Sequence, residues 1–193
     1  MMNILRMVAV LSLLCGLSGF ALSYLKMVTA TRIEEQVLTY VQGPALNRLF
    51  TRAENSPIAD RRKFTLPDGR LMTLFPVIMG GKLTGVALEE SGKGYGGPIG
   101  VMVGFNVADD TLAGIGVTTL KETPGLGMRI VEPGFTAQFA GFKTPVGLKA
   151  SGGNVDAVSG ATISSTGAVE AVNKAAKAYA DLKPEILNTW GKK

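Results

Sequence analysis

The residues with the clearest chemical potential form one short run in the last quarter of the chain, D-A-V-S-G-A-T-I-S-S over residues 156–165. From Thr166 to Leu182 apolar residues recur every three or four positions, which predicts a helix directly after the run. The hydroxyls of Ser164, Ser165 and Thr166 are candidate N-caps for this helix. Unpaired N–H groups and a partial positive charge at a helix start can bind a phosphate group. An ordinary capped helix behind a Ser/Gly-rich lead-in is the alternative interpretation.

The order of residues in this run, D-x-x-S-G-A-T, resembles the flavinylation motif of the FMN-binding domain family. In that family the final threonine carries FMN through a phosphoester made by a separate flavinyl transferase, and the resemblance places this modification on Thr162. It also implies a role for Asp156 in recognition by the transferase. Small residues let the backbone approach a bulky ligand closely. The implied phosphate-binding residues are Ser159, Gly160, Ala161, Ser164 and Ser165.

The amino-acid composition excludes several other chemistries. The 193 residues include no histidine, which rules out Ser–His–Asp and Cys–His triads, H-E-x-x-H zinc sites and C-x-x-C-H haem attachment. Cys15 is the only cysteine, so the chain forms no internal disulfide and does not ligate an iron–sulfur cluster by itself. If the protein carries electrons, an organic cofactor has to carry them.

The formal net charge is +5, but Lys and Arg are spread along the chain and are not gathered with aromatic residues into a patch. This distribution does not predict nucleic-acid binding. A basic surface near anionic lipid head groups is the better interpretation of the charge.

An uncharged run of nineteen residues, Met7–Leu25, is long enough to cross a bilayer as a helix. A cleavable signal peptide ending near Ala30 is the alternative, but the run is longer than a typical signal-peptide core. The sequence therefore predicts a retained, single-pass membrane anchor over residues 1–30. Arg6 precedes the run and Lys26 follows it, so the flanking charges give no orientation.

The remainder predicts an α+β fold with a mostly antiparallel sheet and flanking helices. Residues 31–70 are interpreted as a connecting helix, Thr31–Phe50, that breaks at Gly43-Pro44, followed by a loop over Asn55–Arg70. Residues 71–193 form the predicted ligand-binding domain. Pro76 within the first predicted strand indicates a sheet edge or a bulge. Two hairpins supply the predicted strands, which are Leu71–Met79, Leu83–Glu89, Ile99–Val107 and Leu112–Thr118.

Two loops rich in glycine lie between and after these strands. Ser91–Gly100 reads S-G-K-G-Y-G-G-P-I-G, which is either a plain connector or a loop that places Tyr95 beside a planar ligand or a partner. Lys121–Gly127 reads K-E-T-P-G-L-G, in which Pro124 and Gly125 fit the centre of a type II turn. An unusual backbone angle is expected at Gly127. The second loop either turns the chain only or offers a hydroxyl and an apolar surface to a ring system.

Taken in order behind one N-terminal membrane run, the three segments are similar to the G subunits of Rnf electron-transport complexes. The C subunit of the sodium-pumping NADH:quinone reductase is a related alternative. The resemblance implies a domain outside the cytoplasm, tethered to the inner membrane, that relays electrons through covalent FMN between neighbouring subunits. Many relatives carry a histidine where this chain has Leu120. The further flavin-contacting residues that the resemblance implies are Glu122, Thr123, Leu126, Gly127, Tyr95 and Gly97.

Two hypotheses from other classes stay open at this point. One is an exported module that binds FMN without a covalent bond and senses or buffers flavin. The other is an anchored envelope protein without a cofactor, in which the S-G-A-T run only begins a helix.

Overall fold

The computed structural model describes residues 2–191, and it confirms an α+β fold behind a long N-terminal helix. The chain divides into two compact units between Tyr40 and Val41. The elements, in chain order and with the labels used below, are α1 (Met2–Val37), a π-helical turn (Leu38–Gln42), α2 (Gly43–Leu49), β1 (Arg62–Thr65), β2 (Leu71–Met79), β3 (Lys82–Lys93), β4 (Pro98–Asn106), β5 (Leu112–Thr119), a 3₁₀ segment (Gly127–Val131), α3 (Pro133–Thr136), two further 3₁₀ turns (Ala137–Phe139 and Lys149–Ser151) and α4 (Thr162–Trp190).

The helical stretch Met2–Leu49 has a window of mean hydropathy 2.0 and is the one helix, within residues 2–191, long and apolar enough to cross a membrane. None of the α1 residues, Met2–Val37, is buried. The predicted break at Gly43-Pro44 coincides with the change from the π-helical turn to α2, which begins at Gly43, but the backbone stays helical across it. Pro44 lies in the first turn of α2, where its missing N–H needs no helical acceptor.

The second unit is built on a five-stranded antiparallel sheet in the order β1-β2-β3-β4-β5. Strands β2 to β5 confirm the four predicted strands, and β3 extends four residues beyond its predicted end at Glu89. Gly80 and Gly81 connect β2 to β3 with φ of 59° and 70°. Positive φ at both positions is what a tight two-residue hairpin turn requires, so this prediction is also confirmed.

Strand β1 lies in the segment predicted to be a loop, and that interpretation is wrong for residues 62–65. Its central residue Phe64 is buried against Trp190 of α4, with ring centroids 5.3 Å apart. The prediction of a sheet edge or a bulge at Pro76 is confirmed as a bulge, because the register of β2 against β3 shifts just after it, between Val77 and Ile78. The side-chain amide of Asn55 donates to the Pro76 carbonyl at 3.0 Å and accepts from the Ile78 N–H at 2.9 Å.

Two helical elements cover the two faces of the sheet. Helix α4 packs against β3 and β4, whereas α2 packs against β4 and β5. On the α2 face the Phe50 ring lies directly on strand backbone, since a Cβ added at Gly85 or Gly104 would stand 2.6 Å or 2.9 Å from it. Small residues in the strands therefore let an aromatic ring close this face.

Helix α4 begins four residues before the predicted start and ends eight residues after the predicted end, at Trp190. Pro184 lies inside it, although proline usually interrupts a helix. Beyond the proline, Ile186 and Trp190 are buried in the core. Burial of these large side chains offsets the lost helical hydrogen bond, and this contact between distant segments has no local sequence signal.

Candidate functional site

A cavity of about 480 Å³ opens at the N-terminus of α4. Three segments that are distant in sequence converge on it: the glycine loop after β3, the turn after β5, and the S-G-A-T run. A volume of this size lies in the range of small-molecule and cofactor sites, roughly 300–1,000 Å³. The lining residues are Tyr95, Glu122, Thr123, Leu126, Gly127, Gly160, Ala161, Thr162, Ile163 and Ser164.

Thr162 is the first residue of α4 and is exposed. The N-cap of the helix is Ala161, and no side chain caps the helix. The prediction that a hydroxyl of Ser164, Ser165 or Thr166 is the N-cap is therefore wrong. The first hydrogen bond of the helix runs from the Ser165 N–H to the Ala161 carbonyl at 2.9 Å. The amides of residues 162–164 precede this bond and have no acceptor within the helix. An anion at this point would meet unpaired donors and the positive end of the helix dipole.

Ser165 does not line the cavity but organises the turn before it. This fully buried hydroxyl accepts from the Val158 N–H at 3.0 Å and donates to the Ala161 carbonyl at 3.0 Å. The Ala161 N–H in turn donates to the Val158 carbonyl at 2.9 Å. Gly160 has a φ of +78°, which the third position of a type II turn requires. Ser159, in the second position of this turn, is exposed and outside the lining.

The K-E-T-P-G-L-G segment forms the predicted turn at Pro124 and Gly125. Gly125 has a φ of +75°, and the Leu126 N–H donates to the Thr123 carbonyl at 3.2 Å. The unusual backbone angle expected at Gly127 is not found, because Gly127 does not have a positive φ. Glycine is needed there for space instead, because an added Cβ would lie 2.7 Å from the Ser164 Oγ.

The glycine loop closes on itself through a hydrogen bond of 2.9 Å from the Gly94 N–H to the Gly97 carbonyl. This turn presents Tyr95, which is 74% exposed, at the cavity wall. Gly97 shapes the turn and does not itself line the cavity. An added Cβ at Gly96 would stand 2.0 Å from the Lys121 carbonyl oxygen, so the loop lies directly on the segment after β5.

Asp156 lies on the surface, outside the cavity lining. Its carboxylate forms an exposed ion pair of 2.7 Å with Lys149. The Gln138 side chain accepts from the Asp156 N–H at 2.7 Å, which ties the start of the motif to the 3₁₀ turn Ala137–Phe139. The structure thus separates the motif into a cavity-lining end and a solvent-facing aspartate.

Ile163 is the one lining residue that sequence reasoning missed. It is apolar yet 53% exposed at the start of α4, whereas Val169 and Val172 on the same helix are buried. An apolar residue outside the buried face of an amphipathic helix was the available signal. With Leu126, which is 48% exposed, it gives the cavity an apolar rim.

Residues 94–177 match the family described as the FMN-binding domain, a span that contains every residue of the cavity lining. A curated relative from Stutzerimonas stutzeri, named as the G subunit of an ion-translocating oxidoreductase complex, is 31% identical over 178 residues; the alignment covers 86% of this chain and 76% of the relative. The protein of the same name from Methanosarcina acetivorans is 37% identical over 111 residues, covering 56% of this chain. The chain spans only 59% of that relative's length.

Among solved structures, the C subunit of the Na⁺-translocating NADH-quinone reductase from Parabacteroides distasonis has the same fold. The TM-score is 0.52 at 24% sequence identity, and the match covers 66% of this chain and 70% of that chain. At this identity the similarity concerns the fold alone.

Proposed function

Because the chain belongs to the family of G subunits of ion-translocating oxidoreductase complexes and carries their FMN-binding domain, we propose that it is an electron-carrier subunit of such a complex. In this proposal FMN is bound in the cavity at the N-terminus of α4 and is joined covalently, through a phosphoester, to Thr162. The protein passes electrons between membrane and peripheral subunits of an Rnf-type complex, and alone it turns over no substrate.

One observation carries this proposal: Thr162 stands at a helix N-terminus and inside the cavity at the same time. The residue is exposed, so a modifying enzyme can reach it. The amides of the first turn and the helix dipole stabilise the negative charge that a phosphodiester on this oxygen would carry. A threonine in the middle of the helix would have neither advantage.

The other walls suit a planar ring system. Tyr95, Leu126 and Ile163 supply exposed aromatic and apolar surface around the cavity. Such surface is costly in water unless a ligand or a partner covers it. When bound, FMN supplies the redox chemistry, while the protein supplies position and electrostatics.

The N-terminal helix supports a membrane location, and the resemblance to the G subunits of Rnf complexes supports the periplasmic side. We place the helix in the inner membrane as a single-pass anchor and the domain on the periplasmic side, where a flavinyl transferase modifies it. Flavin held only by contacts would dissociate into a compartment with little free flavin to rebind. A tether to the bilayer also raises the effective concentration of the domain near its partner subunits.

The test is the mass and fluorescence of the full chain produced in a host with a flavinyl transferase. We expect an intact mass higher than that of the polypeptide by one FMN less one water, and a flavin-fluorescent band on a denaturing gel. Thr162→Ala should abolish both signals. Thr166→Ala is the matched control, since its exposed hydroxyl lies one turn further along α4 and donates to the Thr162 carbonyl.

Two outcomes would contradict covalent attachment. Flavin that co-purifies but is released by denaturation would support a noncovalent binding module. A colourless protein with the bare polypeptide mass would support a cofactor-free envelope protein.

A further inference from the structure

Glu122 is the one acidic residue of the cavity lining, and the residue is buried, with 8% of its surface exposed. Both carboxylate oxygens accept hydrogen bonds. Oε1 accepts from the Gly96 N–H at 3.0 Å, and Oε2 accepts from the Ser164 hydroxyl at 2.6 Å. One side chain therefore connects the glycine loop to the first turn of α4, which are two separate walls of the cavity.

The backbone around this carboxylate is close enough to exclude any side chain. An added Cβ at Gly94 would stand 2.4 Å from Oε1, and one at Gly127 would stand 2.6 Å from Oε2. Real Cβ atoms do not approach other atoms so closely, because the repulsion at such distances is prohibitive. The glycines at these two positions make room for the Glu122 carboxylate.

Glu122 takes part in none of the ion pairs that the structure records between residues 2–191. Two neutral donors stabilise it in a largely buried place, where charges interact more strongly than in water. The same carboxylate lines the cavity that contains Thr162. A fixed negative charge disfavours the addition of electrons to a group beside it, by the Coulomb interaction.

We propose that Glu122 is a positioning residue that holds the glycine loop against the first turn of α4 and lowers the midpoint potential of the flavin in this cavity. This inference rests on the proposed function for its redox half. The positioning half concerns the protein alone. The two parts of the proposal can be tested separately, because one substitution removes the charge of the side chain and another shortens it.

Glu122→Gln tests the charge. Glutamine has nearly the same size, its carbonyl can accept from the Gly96 N–H, and its amide can donate to the Ser164 oxygen. We expect a more positive midpoint potential in spectroelectrochemical titration of the flavin-loaded full chain. Glu132→Gln is the control, since Glu132 is exposed, pairs with Arg129 and lies outside the lining. It should leave the potential unchanged. Equal potentials for Glu122→Gln and the parent would overturn the redox half.

Glu122→Asp tests the length of the side chain. Aspartate keeps the charge but is one methylene shorter, so it does not span from Gly96 to Ser164. We expect the Gly96 amide to exchange with deuterium about fivefold faster, the effect of losing roughly one hydrogen bond. The measurement is made in the flavin-free Thr162→Ala background, where Glu122→Gln should retain the protection of the parent.

Unchanged exchange at Gly96 in Glu122→Asp would overturn the positioning half. A parent protein without any flavin would instead contradict the proposed function, and with it the redox half, while the exchange experiment would still decide the positioning half.

Discussion

Gly92, near the end of β3, lies backbone to backbone against Gly167 in the second turn of α4. A Cβ added at Gly92 would stand 1.8 Å from the Gly167 carbonyl oxygen, and one at Gly167 would stand 2.6 Å from the carbonyl oxygen of Lys93. The helix that begins at Thr162 therefore lies directly on the strand that leads into the glycine loop. This contact between backbones sets the distance between two walls of the cavity.

Gly92→Ala should lower the free energy of unfolding by about 1–3 kcal/mol, because the methyl group would push α4 away from β3. Urea denaturation followed by circular dichroism measures the change. Gly134→Ala is the control: nothing lies within 4 Å of its added Cβ, so its stability should stay within about 0.5 kcal/mol of the parent. A Gly92→Ala protein as stable as this control would show that the contact is not tight.

Gly160→Ala should reduce both stability and flavin content. Its φ of +78° is in the left-handed region, where a side chain costs about 1–2 kcal/mol. The added Cβ would also stand 3.3 Å from Leu126, a lining residue. Gly141→Ala carries the same backbone strain, with a φ of +79°, but has nothing within 4 Å.

We expect the two alanine variants to lose similar stability in urea, while only Gly160→Ala shows a lower flavin-to-protein absorbance ratio. Equal flavin content in both variants would show that the turn at Gly160 does not affect flavin binding.

Asp156→Asn should lower covalent flavin incorporation with little change in stability. The carboxylate is exposed and lies outside the cavity, so its proposed role is recognition by the transferase. Its ion pair with Lys149 is exposed, and such pairs contribute about 0.2–1 kcal/mol. Lys149→Met removes the same ion pair but leaves the aspartate.

In-gel flavin fluorescence after co-expression with the transferase should fall in Asp156→Asn and stay at the parental value in Lys149→Met. A parallel loss in both variants would assign the effect to the ion pair instead of the aspartate.

Acid should weaken the contact between Asp110, in the β4–β5 turn, and the Tyr179 and Lys183 side chains of α4. Lys183 donates to Asp110 at 2.5 Å and, with the Tyr179 hydroxyl at 2.9 Å, holds the pKa of that carboxyl below its ordinary value of 3.8. The ionised carboxyl therefore stabilises the fold above pH 3.8, and this stability is lost as the pH falls through the folded-state pKa. Burial raises the pKa of Tyr179, so this phenol stays a donor throughout.

Asp110→Asn isolates this effect, because asparagine tolerates the φ of 59° at this position. The parent should be more stable than the variant at neutral pH, and the difference should narrow as the pH falls below 3.8. Other carboxyls with lowered pKa, such as Asp68 and Glu170, are the same in both proteins and cancel in the difference. A difference that is independent of pH would contradict the ionic contribution.

The features that were predicted well from the sequence are those that depend on residues close together in the chain. The four predicted strands between Leu71 and Thr118 followed from apolar segments and from the turns between them. The Pro124-Gly125 turn followed from the backbone preferences of two adjacent residues. Strand β1 was missed because its one buried residue, Phe64, packs against Trp190 near the other end of the chain.

By itself the amino-acid sequence determined the family motifs, the apolar N-terminal helix and the exclusion of histidine chemistry, because residue types and local periodicity are properties of the chain alone. Only the tertiary structure decided that Thr162, Leu126 and Tyr95 share one cavity, and that Glu122 joins two of its walls. The physical reason is distance: hydrogen bonds and packing act over a few ångströms in space, and no spacing along the chain encodes which remote segments reach that separation.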